Sequence, residues 1–105
     1  MNSMIPKKLL VIFNDNELNN VLSEYFDYLK SKSLSENTIK NYFRDLIGYF
    51  NYLNQNNLDP SKSIKPEHIR KMLSFLIEKG FSKLSISRKI SAIKSYINFL
   101  EKFNY

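Results

Sequence analysis

Residues 35–54 read SENTIKNYFRDLIGYFNYLN, and the spacing of their apolar side chains decides the fold class. Ile39, Phe43, Leu46, Phe50 and Leu53 step by 4, 3, 4 and 3, which places them on one face of an α-helix. Ser35 stands in front of that stripe, where its hydroxyl accepts from an early backbone N–H and starts the helix. After Asn54 the pattern stops. Asn56-Asn57, Asp59-Pro60 and two serines make 54–63 a surface loop.

The same period extends in both directions. Upstream, Leu18, Leu22, Phe26 and Leu29 predict a helix over about 17–32, capped near Asn14 or Asp15. Downstream, Pro66 opens a third helix in the first turn, where its missing N–H costs nothing, and Glu67 suits the helix dipole there. Ile69, Leu73, Leu76 and Ile77 are expected to face inward, with Gly80 as a left-handed stop. A fourth helix, capped by Ser82, runs to about Phe103 with Ile86, Ile90, Ile93, Ile97 and Leu100 as its stripe. Tyr25, Tyr49 and Tyr96 lie at or beside these stripes and are expected to pack. The expected fold is all-α, a four-helix bundle over residues 17–105 with an N-terminal extension over 1–16. Leu9 to Phe13 in that extension is strand-like but has no partner strand. It reads as an arm packed on the bundle or on a neighbouring protomer.

Composition narrows the function. At 105 residues the chain holds one modest core. It has no cysteine and one histidine, His68, which leaves no disulfide framework, no thiolate metal site and no His-based triad. No metal, cofactor or catalytic residue is expected. The five-residue apolar run at Leu9 to Phe13 is too short for a signal peptide or a membrane span, so a cytoplasmic protein with no membrane partner is expected. The net charge is +6, unevenly spread: residues 1–60 carry six basic and seven acidic groups, and residues 61–105 carry ten and three. A surplus of that kind suits a polyanionic partner.

Helical neighbours decide which cations are free to meet such a partner. Lys40 has Glu36 four residues away and Arg70 has Glu67 three away, so both read as surface pairs. Arg44 and Arg88 have no acid at those spacings, nor do Lys89 and Lys94. The face of the fourth helix opposite its isoleucines reads Ser85, Arg88, Ser91, Ala92 and Ser95, with Lys94 at the edge. Small residues allow close approach, hydroxyls bond phosphate oxygens, and an arginine reaches base edges in a major groove. The second helix repeats the design with Asn37, Thr38, Asn41, Arg44 and Gly48, and its first turn from Ser35 offers N–H groups to a phosphate. On this reading Arg88→Ala and Arg44→Ala weaken DNA binding with little loss of stability.

The stretch Leu34-Ser35-Glu36-Asn37-Thr38, followed by Tyr42, Asp45 and Leu46, resembles the core-binding, SAM-like N-terminal domain of tyrosine recombinases, the phage-type integrases. Pro66-Glu67-His68-Ile69, Lys79-Gly80-Phe81-Ser82 and the run from Ser85 to Tyr96 extend the resemblance over about 17–103. It implies a helical domain forming one half of a clamp around a double-stranded recombination site, with other recombinase protomers as partners in a synaptic complex and the isolated domain monomeric. Asn37, Thr38, Lys40, Asn41 and Arg44 match the family's DNA contacts on one helix. Ser85, Ser87, Arg88, Ser91 and Lys94 match those on another, and Ser35, Lys83 and Lys89 complete the candidate set. Tyr25, Tyr28 and Leu29 match a helix that meets a neighbouring protomer. The family's catalytic arginine, lysine, histidine-x-x-arginine and tyrosine set is absent, so the chain reads as the non-catalytic part of a longer enzyme. A helical protein-interaction module and a stand-alone DNA-binding regulator are the alternatives; the former is expected to expose an apolar patch.

Overall fold

A computed structural model describes residues 16–105, with four helices and, among the described residues, no strand. They are α1 (Asn16–Ser31), α2 (Glu36–Gln55), α3 (Pro66–Glu78) and α4 (Lys83–Lys102). The arm read at 1–16, with its apolar run and the expected cap at Asn14 or Asp15, lies outside the described residues apart from Asn16, which begins α1.

Local chemistry sets each helix boundary. Ser35 is extended at φ −67° and ψ 156°, and its Oγ accepts from the Thr38 N–H at 3.1 Å. Ser82 repeats this on the Ser85 N–H, also at 3.1 Å. Pro66 opens α3 behind Lys65, which makes no side-chain cap. At the other ends, Asn57, Gly80 and Asn104 take φ of 59°, 87° and 63°, the left-handed region that glycine and asparagine tolerate best. The residue after each closes the same bond back to a leucine carbonyl: Leu58 to Leu53 at 2.9 Å, Phe81 to Leu76 at 3.3 Å and Tyr105 to Leu100 at 2.8 Å. Each is a Schellman end, with an apolar residue just beyond the left-handed position.

The α2 and α4 helices form the most extensive pairing, with α1 and α3 packed around them. The stripes expected on α1 and α2 are buried, joined by Val21, Tyr25 and Tyr49. An aromatic cluster fills the centre. Tyr96 meets Tyr25 edge-on at 5.2 Å between ring centroids and Phe50 at 5.3 Å, and Tyr25 also meets Phe43 and Phe99. The Tyr96 hydroxyl donates to the Pro60 carbonyl at 2.6 Å and the Tyr25 hydroxyl pairs with Ser95 Oγ at 2.9 Å. Burial pushes the Tyr25, Tyr49 and Tyr96 phenols well above their ordinary value of 10. A raised phenol stabilises the fold fully below that value and ceases to do so as pH rises toward the folded one. The melting temperature is therefore expected to fall above pH 10. Thermal melts followed by circular dichroism, alongside tyrosinate absorbance, check this.

Two stripes differ from the sequence reading. On α3, Met72 and Leu76 are buried, whereas Leu73 is 37% exposed and Ile77 60% exposed. On α4 the fully buried face is Ala92, Ile93, Tyr96, Phe99 and Leu100, while Ile86, Ile90 and Ile97 are only half-buried. The helix is rolled so that its aromatic residues reach the central cluster and its isoleucines turn toward α3. Ala92 is therefore in the core, and Ser95 bonds Tyr25 instead of facing outward.

Candidate nucleic-acid interface

Rolling α4 redefines its open face as Lys83, Ser87, Arg88, Ser91 and Lys94, all exposed, with Ser85 and Lys89 half-buried beside them. From α2, Ser35, Asn37, Lys40 and Arg44 are exposed and Thr38 and Asn41 half-buried. The hydroxyl of Ser35, one of the candidate DNA contacts, is engaged in the cap expected of it and also donates to Thr38 Oγ1 at 2.9 Å. Gly48 has open space around its Cα, so a side chain would fit there without collision.

The ion pairs redistribute the free cations. Arg88 Nε donates to Asp45 Oδ2 at 3.1 Å and its Nη2 to Oδ1 at 3.2 Å, and Lys89 Nζ lies 3.7 Å from Oδ1. The two cations read as unpaired are thus held by one carboxylate on α2, whose side chain is 2% exposed. Conversely, neither Lys40 with Glu36 nor Arg70 with Glu67 forms an ion pair among the described residues. Lys40, Arg44, Lys83 and Lys94 are exposed without an acidic partner among the described residues. The Arg88 to Asp45 link ties their two helices together one residue from Arg44.

Asp45 is the site residue that helical spacing did not reveal. The available signal was an acid in the middle of α2, immediately before the core residue Leu46, within the quoted motif. Its burial corrects the expectation for Arg88. Arg88→Ala leaves the carboxylate buried with, among the described residues, Lys89 alone paired to it, and a stability loss of about 1–3 kcal/mol is expected, discounted because the guanidinium is half exposed. Chemical denaturation of the variant checks this. An unchanged midpoint would show that Asp45 is satisfied without Arg88.

Beside this face an apolar groove of about 570 Å³ opens between α3 and α4. Leu73, Ile77, Phe81, Ile86 and Ile90 line it, and Lys83, Ser87, Ser91 and Lys94 form its polar edge. Leu84, in the first turn of α4, is 82% exposed. The surface expected to be small and polar therefore borders an exposed apolar patch. The proposed protomer contacts Tyr25 and Leu29 are at most 1% exposed, and Tyr28 packs on Phe99 and Phe103. Those side chains serve the core. His68 is half-buried in the first turn of α3, and no helix among the described residues is long and apolar enough to cross a membrane.

The chain is similar to several recombinases. It is 38% identical over 85 residues to tyrosine recombinase XerD of Rickettsia bellii, covering 80% of this chain and 28% of that protein. It is 34% identical over 87 residues to tyrosine recombinase XerC of Natranaerobius thermophilus, covering 81% and 29%. XerD of Staphylococcus epidermidis is 36% identical over 89 residues, covering 84% and 30%. The chain thus spans less than a third of the length of these relatives. No solved structure matches. A family model, phage integrase, N-terminal SAM-like domain, matches residues 22–103, which include the caps Ser35 and Ser82 and the left-handed stops Asn57 and Gly80. Its extent, together with the four-helix architecture, means that the chain belongs to the phage integrase N-terminal SAM-like family.

Proposed function

We propose that this chain binds double-stranded DNA as the N-terminal half of the clamp of a tyrosine site-specific recombinase, in DNA integration or chromosome dimer resolution. The observation that carries the reading is the set of exposed cations without acidic partners among the described residues, Lys40 and Arg44 on α2 and Lys83 and Lys94 on α4, on two helices packed against each other. Arg88 on α4 adds a half-exposed guanidinium held to Asp45 of α2. Ser87, Ser91 and Asn37 supply neutral hydrogen-bonding groups on the same helix faces, and Ser35, Thr38, Asn41, Ser85 and Lys89 lie beside them. Phosphate contacts of this type fix register and orientation, and an arginine in the set reads guanine. Residues 17–105 act as the DNA-holding domain behind an N-terminal arm. Cleavage, strand exchange and assembly with other protomers belong to the full recombinase, in the cytoplasm, and the isolated domain is monomeric.

Arg44 tests the reading with least disturbance to the fold, because it is exposed and pairs with no acid among the described residues. Arg44→Ala is expected to weaken binding to a duplex and to make the salt dependence shallower by about one unit, with stability changed by less than about 0.5 kcal/mol. Fluorescence anisotropy across a salt series, with a thermal melt, checks both. Equal affinity for the variant and the parent would remove this face from the proposal.

The second reading, a helical protein-interaction module, is favoured by the groove between α3 and α4. Amide shift mapping separates the two on addition of duplex DNA. Changes across Ser35 to Arg44 and Ser82 to Lys94 support DNA binding, and no change on those segments supports the module.

A further inference from the structure

Asp45 is a carboxylate placed where α2 is otherwise apolar, 3% exposed and between an exposed arginine and the core residue Leu46. A buried charge of this kind persists only when paired and hydrogen-bonded. Its partners come from the neighbouring helix. Of the five N–H groups on the Arg88 guanidinium, Asp45 takes two, at 3.1 and 3.2 Å. The other three remain on a side chain that is 49% exposed. Lys89, next in sequence, is drawn the other way. Its side chain is 20% exposed, with Nζ 3.7 Å from Asp45 and 5.0 Å from the centre of the Phe81 ring.

One carboxylate therefore sorts two adjacent cations, turning one into a fixed outward fork and keeping the other against the protein. A free arginine side chain samples many rotamers and loses that freedom on binding, whereas an anchored one has already lost it. We infer that Asp45 is a positioning residue for DNA: it holds the Arg88 guanidinium as a preset donor for phosphate or a base edge and withholds Lys89 from the duplex. The inference rests on the DNA-binding reading above. It also fixes the sign of the effect. By charge alone, neutralising an acid near DNA tightens binding. By positioning, it weakens binding.

The test uses fluorescence anisotropy of the whole chain with a labelled duplex of mixed sequence, at low salt and at a temperature where circular dichroism shows each variant folded. Asp45→Asn is expected to weaken binding about 3- to 10-fold, the cost of ordering one long side chain. In an Arg88→Ala background the same change is expected to cause no loss, leaving binding unchanged or tighter, because the group it positions is gone and Lys89 is released. Arg88→Lys, which keeps the charge and the pairing but has no planar fork, is expected to lose about as much as Asp45→Asn, and it carries the test if Asp45→Asn does not fold. Tighter or unchanged binding by Asp45→Asn overturns the inference, as does an equal loss in both backgrounds or full binding by Arg88→Lys. If Arg44→Ala weakens binding while Asp45→Asn does not, the DNA-binding reading stands and the positioning role falls. A parent chain that binds no duplex at low salt overturns both.

Discussion

Raising monovalent salt fourfold is expected to weaken binding of this chain to duplex DNA about 500-fold. The figure follows from the cations that remain available once the ion pairs are assigned. Lys40, Arg44, Lys83 and Lys94 are exposed without acidic partners among the described residues, and Arg88 keeps a half-exposed guanidinium. Lys89 is left out because it is turned inward onto Asp45 and Phe81. Five neutralised phosphates at about 0.9 counterions each give a slope near −4.5 in a plot of log affinity against log salt. Anisotropy titrations between about 50 and 200 mM salt measure it directly. A nearly flat dependence would mean that these side chains do not meet phosphate, whatever the affinity at one salt concentration.

Tyr96→Ala is expected to cost about 3–5 kcal/mol, the range for deleting a large buried aromatic side chain. The ring is fully buried and meets Tyr25, Phe50 and Tyr49 edge-on, so its removal opens a cavity among three other rings that cannot all collapse into it. It also strips the Pro60 carbonyl of its donor. In a domain whose whole stability is about 5–15 kcal/mol, this is about 30% or more of the total in the weaker half of that range. The melting temperature should fall by roughly 4–8 °C for each kcal/mol lost. Tyr96→Phe isolates the hydroxyl, with an expected loss of about 0.5–1.5 kcal/mol. A shift for Tyr96→Ala no larger than that for Tyr96→Phe would show that the ring is not a packing centre.

The features legible in the sequence are those decided within a few residues. Ser35 and Ser82 cap their helices because a hydroxyl three positions before an orphan N–H satisfies it in any context. Gly80 stops α3 for an equally local reason, and the same leucine, left-handed residue and apolar residue recur at Leu53, Asn57, Leu58 and at Leu100, Asn104, Tyr105. That repetition was present in the sequence as a readable signal for two further helix ends. On α1 and α2, periodicity also identified the buried face, because one apolar stripe on each helix meets the core.

Periodicity misjudged α3 and α4 because more apolar residues stand on those helices than one face holds. A fourth helix packed on two sides buries Tyr96 and Phe99 toward the centre and leaves Ile86, Ile90 and Ile97 for α3, and no count along one helix tells these two faces apart. The same limit governed the charges. Spacing of three or four residues linked Lys40 to Glu36 and Arg70 to Glu67, weak surface partners that the exposed side chains do not adopt. It was blind to Asp45, which lies 43 residues from Arg88 along the chain.

By itself, then, the sequence determined the all-α class, the start of every helix from α2 onward, the basic surplus and the family. Tertiary structure decided which cations are free, which face of α4 is open, and that Leu73, Ile77, Phe81 and Leu84 remain uncovered. The division has one physical cause. Caps, stops and periodic stripes are satisfied by neighbours along the chain, whereas a buried carboxylate is satisfied only by whatever another helix brings to it.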